Sequence, residues 1–128
     1  MQLLLDTHIA LWLLTGSQEL SQKARSLLQN KNNQLRISVI SLIEIQIKQQ
    51  LGKLQLAVSI EQLISEWQSF GIKLLPLLPA HSQAFAAISL PHKDPFDKLL
   101  LASAAAGPMY LLTADQKLQG VSDLVLAA

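Results

Sequence analysis

The sequence predicts an α/β fold in which helices cover both faces of a parallel or mostly parallel sheet. Short, continuous apolar runs at residues 2–5 and 109–113 have the pattern of strands buried on both faces. Between such runs stand segments of helical periodicity, and strands alternating with helices imply crossover connections between parallel strands. A chain of 128 residues is long enough to bury roughly 68% of its unfolded surface, so residues 1–128 read as one domain with a real core.

The elements follow in order. The run at 2–5 ends at Asp6, and a helix follows it. Leu20, Ala24, Leu27 and Leu28 recur at helical spacing over 20–29, with Ser21 and Gln22 available to cap. A turn at 31–34 leads to a strand over 35–39. The next helix starts from Ser38 or Ser41 and runs to Leu51, with Leu42, Ile45, Ile47 and Leu51 as its apolar positions and Gly52 as its stop. Ser59 opens a helix carrying Ile60, Leu63, Ile64 and Trp67 on one side, which ends near Gly71. Residues 72–78 predict a strand broken by Pro76. Pro79 and Ala80 begin a helix through Ile88, Pro91 sits in a loop, and Pro95 opens a helix over 96–106 closed by Gly107 and Pro108. A strand over 109–113, a short helix over 114–118 and an edge strand over 124–126 complete the chain. No repeat, linker or low-complexity segment interrupts it.

Half of the residues are apolar and 15% are charged, against about 25% charged in ordinary domains, which argues against disorder. A net charge of +1 does not mark a nucleic-acid binder by bulk electrostatics, so any such function rests on local placement. With no cysteine, a disulfide scaffold, a thiolate nucleophile and a zinc ribbon are excluded. The apolar stretch 3–14 is broken by Asp6, Thr7 and His8, lacks a basic leader and is too short to span a bilayer. The expected location is the cytoplasm, with no membrane contact.

In parallel sheets, ligands bind beyond the carboxyl ends of the strands. Asp6 and Asp115 stand just past two such ends, Glu44 lies near the start of the helix after the second strand, and Asp94 and Asp97 flank Pro95 and Phe96 at a helix start. Each acid also has a capping explanation: Ser41 to Glu44 has capping-box spacing, and Asp94 before Pro95 suits an N-cap. Acids at helix starts gain roughly 0.3 to 1 kcal/mol from the helix dipole. Two carboxylates ~4 Å apart repel by about 4 kcal/mol at an effective dielectric of 20. Repulsion on that scale exceeds the capping gain, so four convergent acids call for a cation, and all-oxygen ligands favour Mg²⁺ or Mn²⁺.

At these positions the chain resembles a known family. LLLDTHIALW, SVISLIEIQIKQQLGKL, HKDPFDKLLLASA and LLTADQKL are similar, in the same order, to successive signatures of PIN-domain ribonucleases, and among them to the VapC-type toxin of type II VapBC toxin–antitoxin modules. The resemblance implies a three-layer α/β/α fold, metal-dependent endoribonuclease activity on RNA, dimerisation, and inhibition by a cognate antitoxin protein. It places Asp6, Glu44, Asp97 and Asp115 on the family's acidic site, with Asp94 either supporting them or serving as a helix cap. Lys98 stands where many relatives have Arg, which keeps the charge but loses the bidentate fork.

On that reading Asp6 and Asp97 are direct ligands of Mg²⁺ or Mn²⁺. Glu44 and Asp115 have three roles open to them: ligation, action through water, or orientation and deprotonation of the nucleophile. Thr7 and Thr113 are supporting residues, placed to hydrogen-bond a carboxylate, cap a helix or pair a strand end. Lys93, Lys98 and Lys48 are candidates for RNA contact, with Lys53 behind them. His8 is expected to pack, His92 to be exposed, and Trp12 and Trp67 to belong to the core. The helices around 9–14 and 43–51 are candidate walls of a dimer or antitoxin groove. The alternative is a catalytically silent binding module. A haloacid-type phosphotransferase would need a second Asp where His8 stands, and a receiver domain would need paired acids after the first strand.

Overall fold

The computed structural model describes residues 1–90 and 93–128, so the expectations for Pro91 and His92 lie outside the described residues. Strand β1 (Gln2–Leu5) leads into α1 (Thr7–Thr15) and α2 (Gln22–Gln29); β2 (Gln34–Ser38) leads into α3 (Val39–Gln50) and α4 (Ile60–Ser69). Then come β3 (Lys73–Leu75), α5 (Pro79–Ala87), α6 (Pro95–Ala106), β4 (Tyr110–Thr113), one 3-10 turn (Gln116–Leu118) and β5 (Val125–Ala127). The five strands form one sheet in the order β3-β2-β1-β4-β5, and every pairing is parallel. The fold is the expected three-layer α/β/α arrangement.

Alternation along β1 builds both cores from a single apolar run. Leu3 and Leu5 face the layer formed by α1, α2 and α4, where they meet Ile9, Ala24, Leu63 and Trp67. Leu4 faces the opposite side and meets Leu100, Leu101 and Ala104 of α6 with Leu111 of β4. All three leucines are fully buried, as a strand covered on both faces requires. Trp67 is also fully buried, and its indole Nε1 donates to the Ala10 carbonyl at 2.9 Å, tying α4 to α1.

Several boundaries differ from the expected ones for local reasons. The strand expected over 72–78 is only Lys73–Leu75, because Pro76 has no N–H to extend an edge ladder. Ser38 ends β2, and its hydroxyl accepts from the Ile40 N–H, which makes it the cap of α3. Ser41 is therefore inside that helix and buried, and the Ser41 to Glu44 capping box does not exist. The helix expected over 114–118 shrinks to the 3-10 turn, since Asp115 is its N-cap and accepts from the Lys117 N–H. Gly52, with φ of 70°, follows α3 in the left-handed region that the predicted stop requires.

The Trp67 contact yields a stability prediction. Trp67→Phe should lower the unfolding free energy by about 1–2 kcal/mol through the lost hydrogen bond. Trp67→Ala should cost about 3–5 kcal/mol by opening a cavity. Urea unfolding followed by circular dichroism checks both, and a Trp67→Phe variant as stable as the parent would deny the indole N–H its role.

Candidate active site

Strands β2 and β3 extend the sheet to one side of β1, and β4 and β5 extend it to the other. The carboxyl ends of β1 and β4 therefore flank the point where the strand order reverses, which is where open α/β sheets form their ligand crevice. Asp6 follows β1 directly and Asp115 follows β4 after one residue.

Asp6 is the N-cap of α1 and is 6% exposed. Its Oδ1 accepts from the Thr7 N–H at 2.7 Å, and its Oδ2 accepts from the Thr113 hydroxyl at 2.5 Å. Burial pushes the Asp6 carboxyl above the usual 3.8, and the charge of Glu44 adds to the rise. The Thr113 and Thr7 hydrogen bonds and the nearby His8 oppose it without cancelling it. Thr113 also joins the two strand ends, because its Oγ1 accepts from the Asp115 N–H at 3.0 Å.

Glu44, on the second turn of α3, is 5% exposed. Its Oε1 takes a 2.7 Å hydrogen bond from the Thr7 hydroxyl, whose oxygen also lies 2.8 Å from Ser41 Oγ. Thr7 has a single hydroxyl hydrogen and the carboxylate is the stronger acceptor, so Ser41 is the donor in the second contact. Lys48 Nζ, one turn along α3, donates to Glu44 Oε2 at 2.6 Å. Burial works against the Lys48 ammonium, but Glu44, with Asp94 and Asp6 behind it, holds its pKa above 10.5.

Asp94 caps α6, its Oδ1 accepting from the N–H groups of Phe96 and Asp97 at 2.9 and 3.4 Å. Asp97 is the third residue of that helix and is buried. The charge of Asp94 reaches Lys48, so the amino end of α6 adjoins the Glu44 side of the site. Asp6 and Asp115 share the wall of a cavity of about 260 Å³ with His8, Trp12 and Ala114. A second cavity, of about 340 Å³, is lined by Phe85, Lys93, Asp94 and Lys98 among others, and Lys98 Nζ lies 4.1 Å from the centre of the Phe85 ring.

The structure thus couples Asp6 with Glu44, and Asp6 with Asp115, through the two threonines. Among the described residues it does not gather three His, Asp or Glu side chains closely enough to hold a metal ion. Lys48 turns onto Glu44, while Lys93 and Lys98 border the second cavity. His8 is exposed at the cavity rather than packed inside. Trp12 is half-buried, tilted against His8 with ring centres 5.8 Å apart, and forms cavity wall instead of interior core. Their spacing of four residues on α1 is the signal that pairs them. No local signal in the sequence connects Ser41 to Thr7.

The Asp6 shift has a defined sign. A carboxyl whose folded value lies above 3.8 is destabilising when ionised, and that cost fades as pH falls through the folded value towards the unfolded one. Metal-free Asp6→Asn should therefore melt above the parent at neutral pH, and the gain should shrink on acidification. Thermal unfolding across the acid range measures this, and a gain that grows on acidification would refute the assignment.

The same fold occurs in known proteins. Solved structures with this architecture include VapBC2 of Rickettsia felis bound to a DNA fragment from their promoter (TM-score 0.65, 18% identity, 100% of this chain and 98% of that one). A toxin–antitoxin complex from Klebsiella pneumoniae matches with a TM-score of 0.65 and 20% identity, over 97% of this chain and 95% of that one. In sequence, the chain is 29% identical over 123 residues to Ribonuclease VapC22 of Mycobacterium tuberculosis (strain ATCC 25618 / H37Rv), covering 91% of this chain and 88% of the relative. The family model of the PIN domain matches residues 3–124, a span that holds all five acids of the two strand ends and helix starts, and on that match the chain belongs to the PIN domain family.

Proposed function

We propose that the protein is a metal-dependent endoribonuclease, the toxin of a type II toxin–antitoxin module acting in the cytoplasm. The observation that carries this reading is the pair of buried carboxylates, Asp6 and Glu44, fixed at the sheet's reversal point by Thr113 and Thr7. The relative named as a ribonuclease and the likeness to toxin–antitoxin complexes support it. Among the described residues no helix is long and apolar enough to cross a membrane.

The donor set fits Mg²⁺ or Mn²⁺. Its ligand atoms are hard carboxylate oxygens, and the Asp6 charge is held in a desolvated place where no Lys or Arg among the described residues pairs with it. Asp6, Asp97, Asp115 and Glu44 would hold the ion, with Asp6 and Asp97 as direct ligands. A bound ion supplies an activated water and neutralises charge on the phosphate oxygens. The protein's own part is orientation. Thr113 and Thr7 each fix one carboxylate, Lys48 balances Glu44, and Asp94 holds the start of α6 so that Asp97 keeps its place. Lys93 and Lys98 meet the phosphates of the RNA beside the acids, and the His8–Trp12 wall bounds the cavity at Asp6 and Asp115.

The same reading gives the protein an antitoxin partner and a second copy of itself. Ile43, Ile47 and Leu51 stand exposed at successive turns of α3 and beyond its end. A cavity of about 240 Å³ between α1 and α4 is lined by Leu11, Leu14, Leu56, Val58 and Leu63 among others. Apolar surface of this kind suits a partner segment.

Cleavage of total cellular RNA with Mg²⁺ or Mn²⁺ tests the proposal. The parent should cleave, chelation should stop it, and Asp6→Asn and Asp97→Asn should each lose at least about 100-fold. Thr113→Val should lose about 10-fold, the scale of removing a group that orients a ligand. Equal cleavage by the parent and both Asn variants would sink the catalytic assignment. Binding to N but not U should also raise the melting temperature with Mg²⁺, a response that Asp6→Asn should weaken; an unchanged response would remove Asp6 as a ligand.

A further inference from the structure

We propose that a cavity at the amino edge of the sheet, framed by Arg36 and Lys73, binds a phosphate-class oxyanion. The acids gather beyond the carboxyl ends of β1 and β4, whereas this cavity of about 180 Å³ is lined by Asn33, Gln34, Leu35, Arg36, Gly71 and Lys73, at the starts of β2 and β3. It does not depend on the nuclease reading.

Three independent observations point there. Arg36 and Lys73 are direct partners in the β2–β3 ladder, so two cations stand on one face of adjacent strands, an arrangement that repels. Neither joins an ion pair among the described residues, where Lys48 with Glu44 is the one salt bridge. The Arg36 Nε is buried without a hydrogen-bond partner. Buried polar groups are nearly always satisfied, so the guanidinium is short of partners where it stands.

An oxyanion in the cavity answers the unbalanced charge. It neutralises the cross-strand repulsion and offers acceptors to the planar guanidinium and to the point charge of the ammonium, the pair of donors that phosphate suits. The Asn33 amide is not a ligand, because its Nδ2 already donates to the Leu27 carbonyl at 2.9 Å. Free phosphate and a phosphate of a nucleic-acid backbone present the same chemistry.

The test is a ¹H–¹⁵N titration of the full chain with inorganic phosphate at constant ionic strength, with chloride as control. Saturable shifts confined to the amides of residues 33–36 and 71–73 are expected, with affinity at least tenfold weaker in Lys73→Gln. Lys73→Glu sets a carboxylate opposite Arg36; it should raise the melting temperature without phosphate and abolish the further rise that phosphate gives the parent. Lys73 is exposed, so neither variant disturbs the core. Competition by a single-stranded DNA oligonucleotide, which lacks the 2′-hydroxyl, would support the site as one for a nucleic-acid backbone. Phosphate binding without such competition would support it as one for free phosphate. No saturable shift in the parent, or the same affinity in Lys73→Gln, would overturn the proposal.

Discussion

The Asp6 carboxyl ends a strand whose last three residues are fully buried, and the demand of that charge for hydrogen-bond donors organises what surrounds it. An unpartnered carboxylate in such a place costs several kcal/mol. Its two oxygens are met from two different elements: the first N–H of α1 and the last side chain of β4. Satisfying Asp6 therefore fixes β1, α1 and β4 against one another. The two threonines then extend the network in both directions. The Asp115 N–H donates to Thr113, Thr113 donates to Asp6, Thr7 donates to Asp6 through its N–H and to Glu44 through its hydroxyl, and Lys48 closes the far end. One continuous path of hydrogen bonds joins the ends of β4 and β1 to α1 and α3.

That network satisfies geometry without balancing charge. Four of the five donors are neutral groups, and the one ammonium sits on Glu44 rather than on Asp6. Desolvation accordingly wins at Asp6 and raises its pKa, while the opposite balance holds at Lys48, where the hydrogen bond and charge of Glu44 outweigh burial. Carboxylate oxygens with too little positive charge beside them suit a divalent cation, which is why the proposed function invokes one. On the proposed function, such a cation would also offset the repulsion between the acids and an anionic RNA strand.

The layer architecture was legible in the sequence because its cause is local. Leu3, Leu4 and Leu5 in succession can be satisfied only by a strand covered on both sides, and β1 is such a strand. Glycine stops and serine caps marked the helices for the same reason. Errors arose where two local rules competed. Ser41 to Glu44 had capping spacing, but Ser38 came first and took the cap, which leaves Glu44 too far along α3 for a helix-dipole explanation. In the site, the positions of Asp6 and Asp115 followed from strand ends alone. The Thr7–Glu44 and Thr113–Asp6 bonds link residues 37 and 107 apart, and no spacing rule reaches across such distances. His8 was misjudged because an isolated histidine among apolar residues reads as packed, whereas α1 turns it outward beside Trp12.

The net charge of +1 conceals a separation across the sheet. Parallel strands give every element the same polarity, so residues just past strand ends collect on one edge and residues at strand starts on the other. Asp6 and Asp115 follow strands, whereas Lys73 opens β3 and Arg36, midway along β2, stands opposite it. The arrangement places Asp6 and Asp115 at one edge and Arg36 and Lys73 at the other, and none of the four joins an ion pair among the described residues. Charges of opposite sign at opposite edges cannot neutralise one another through the core, because Coulomb attraction falls with distance while the desolvation cost of each charge is local. On the two proposals, each edge recruits its own counter-ion, a cation at the carboxyl edge and an oxyanion at the amino edge.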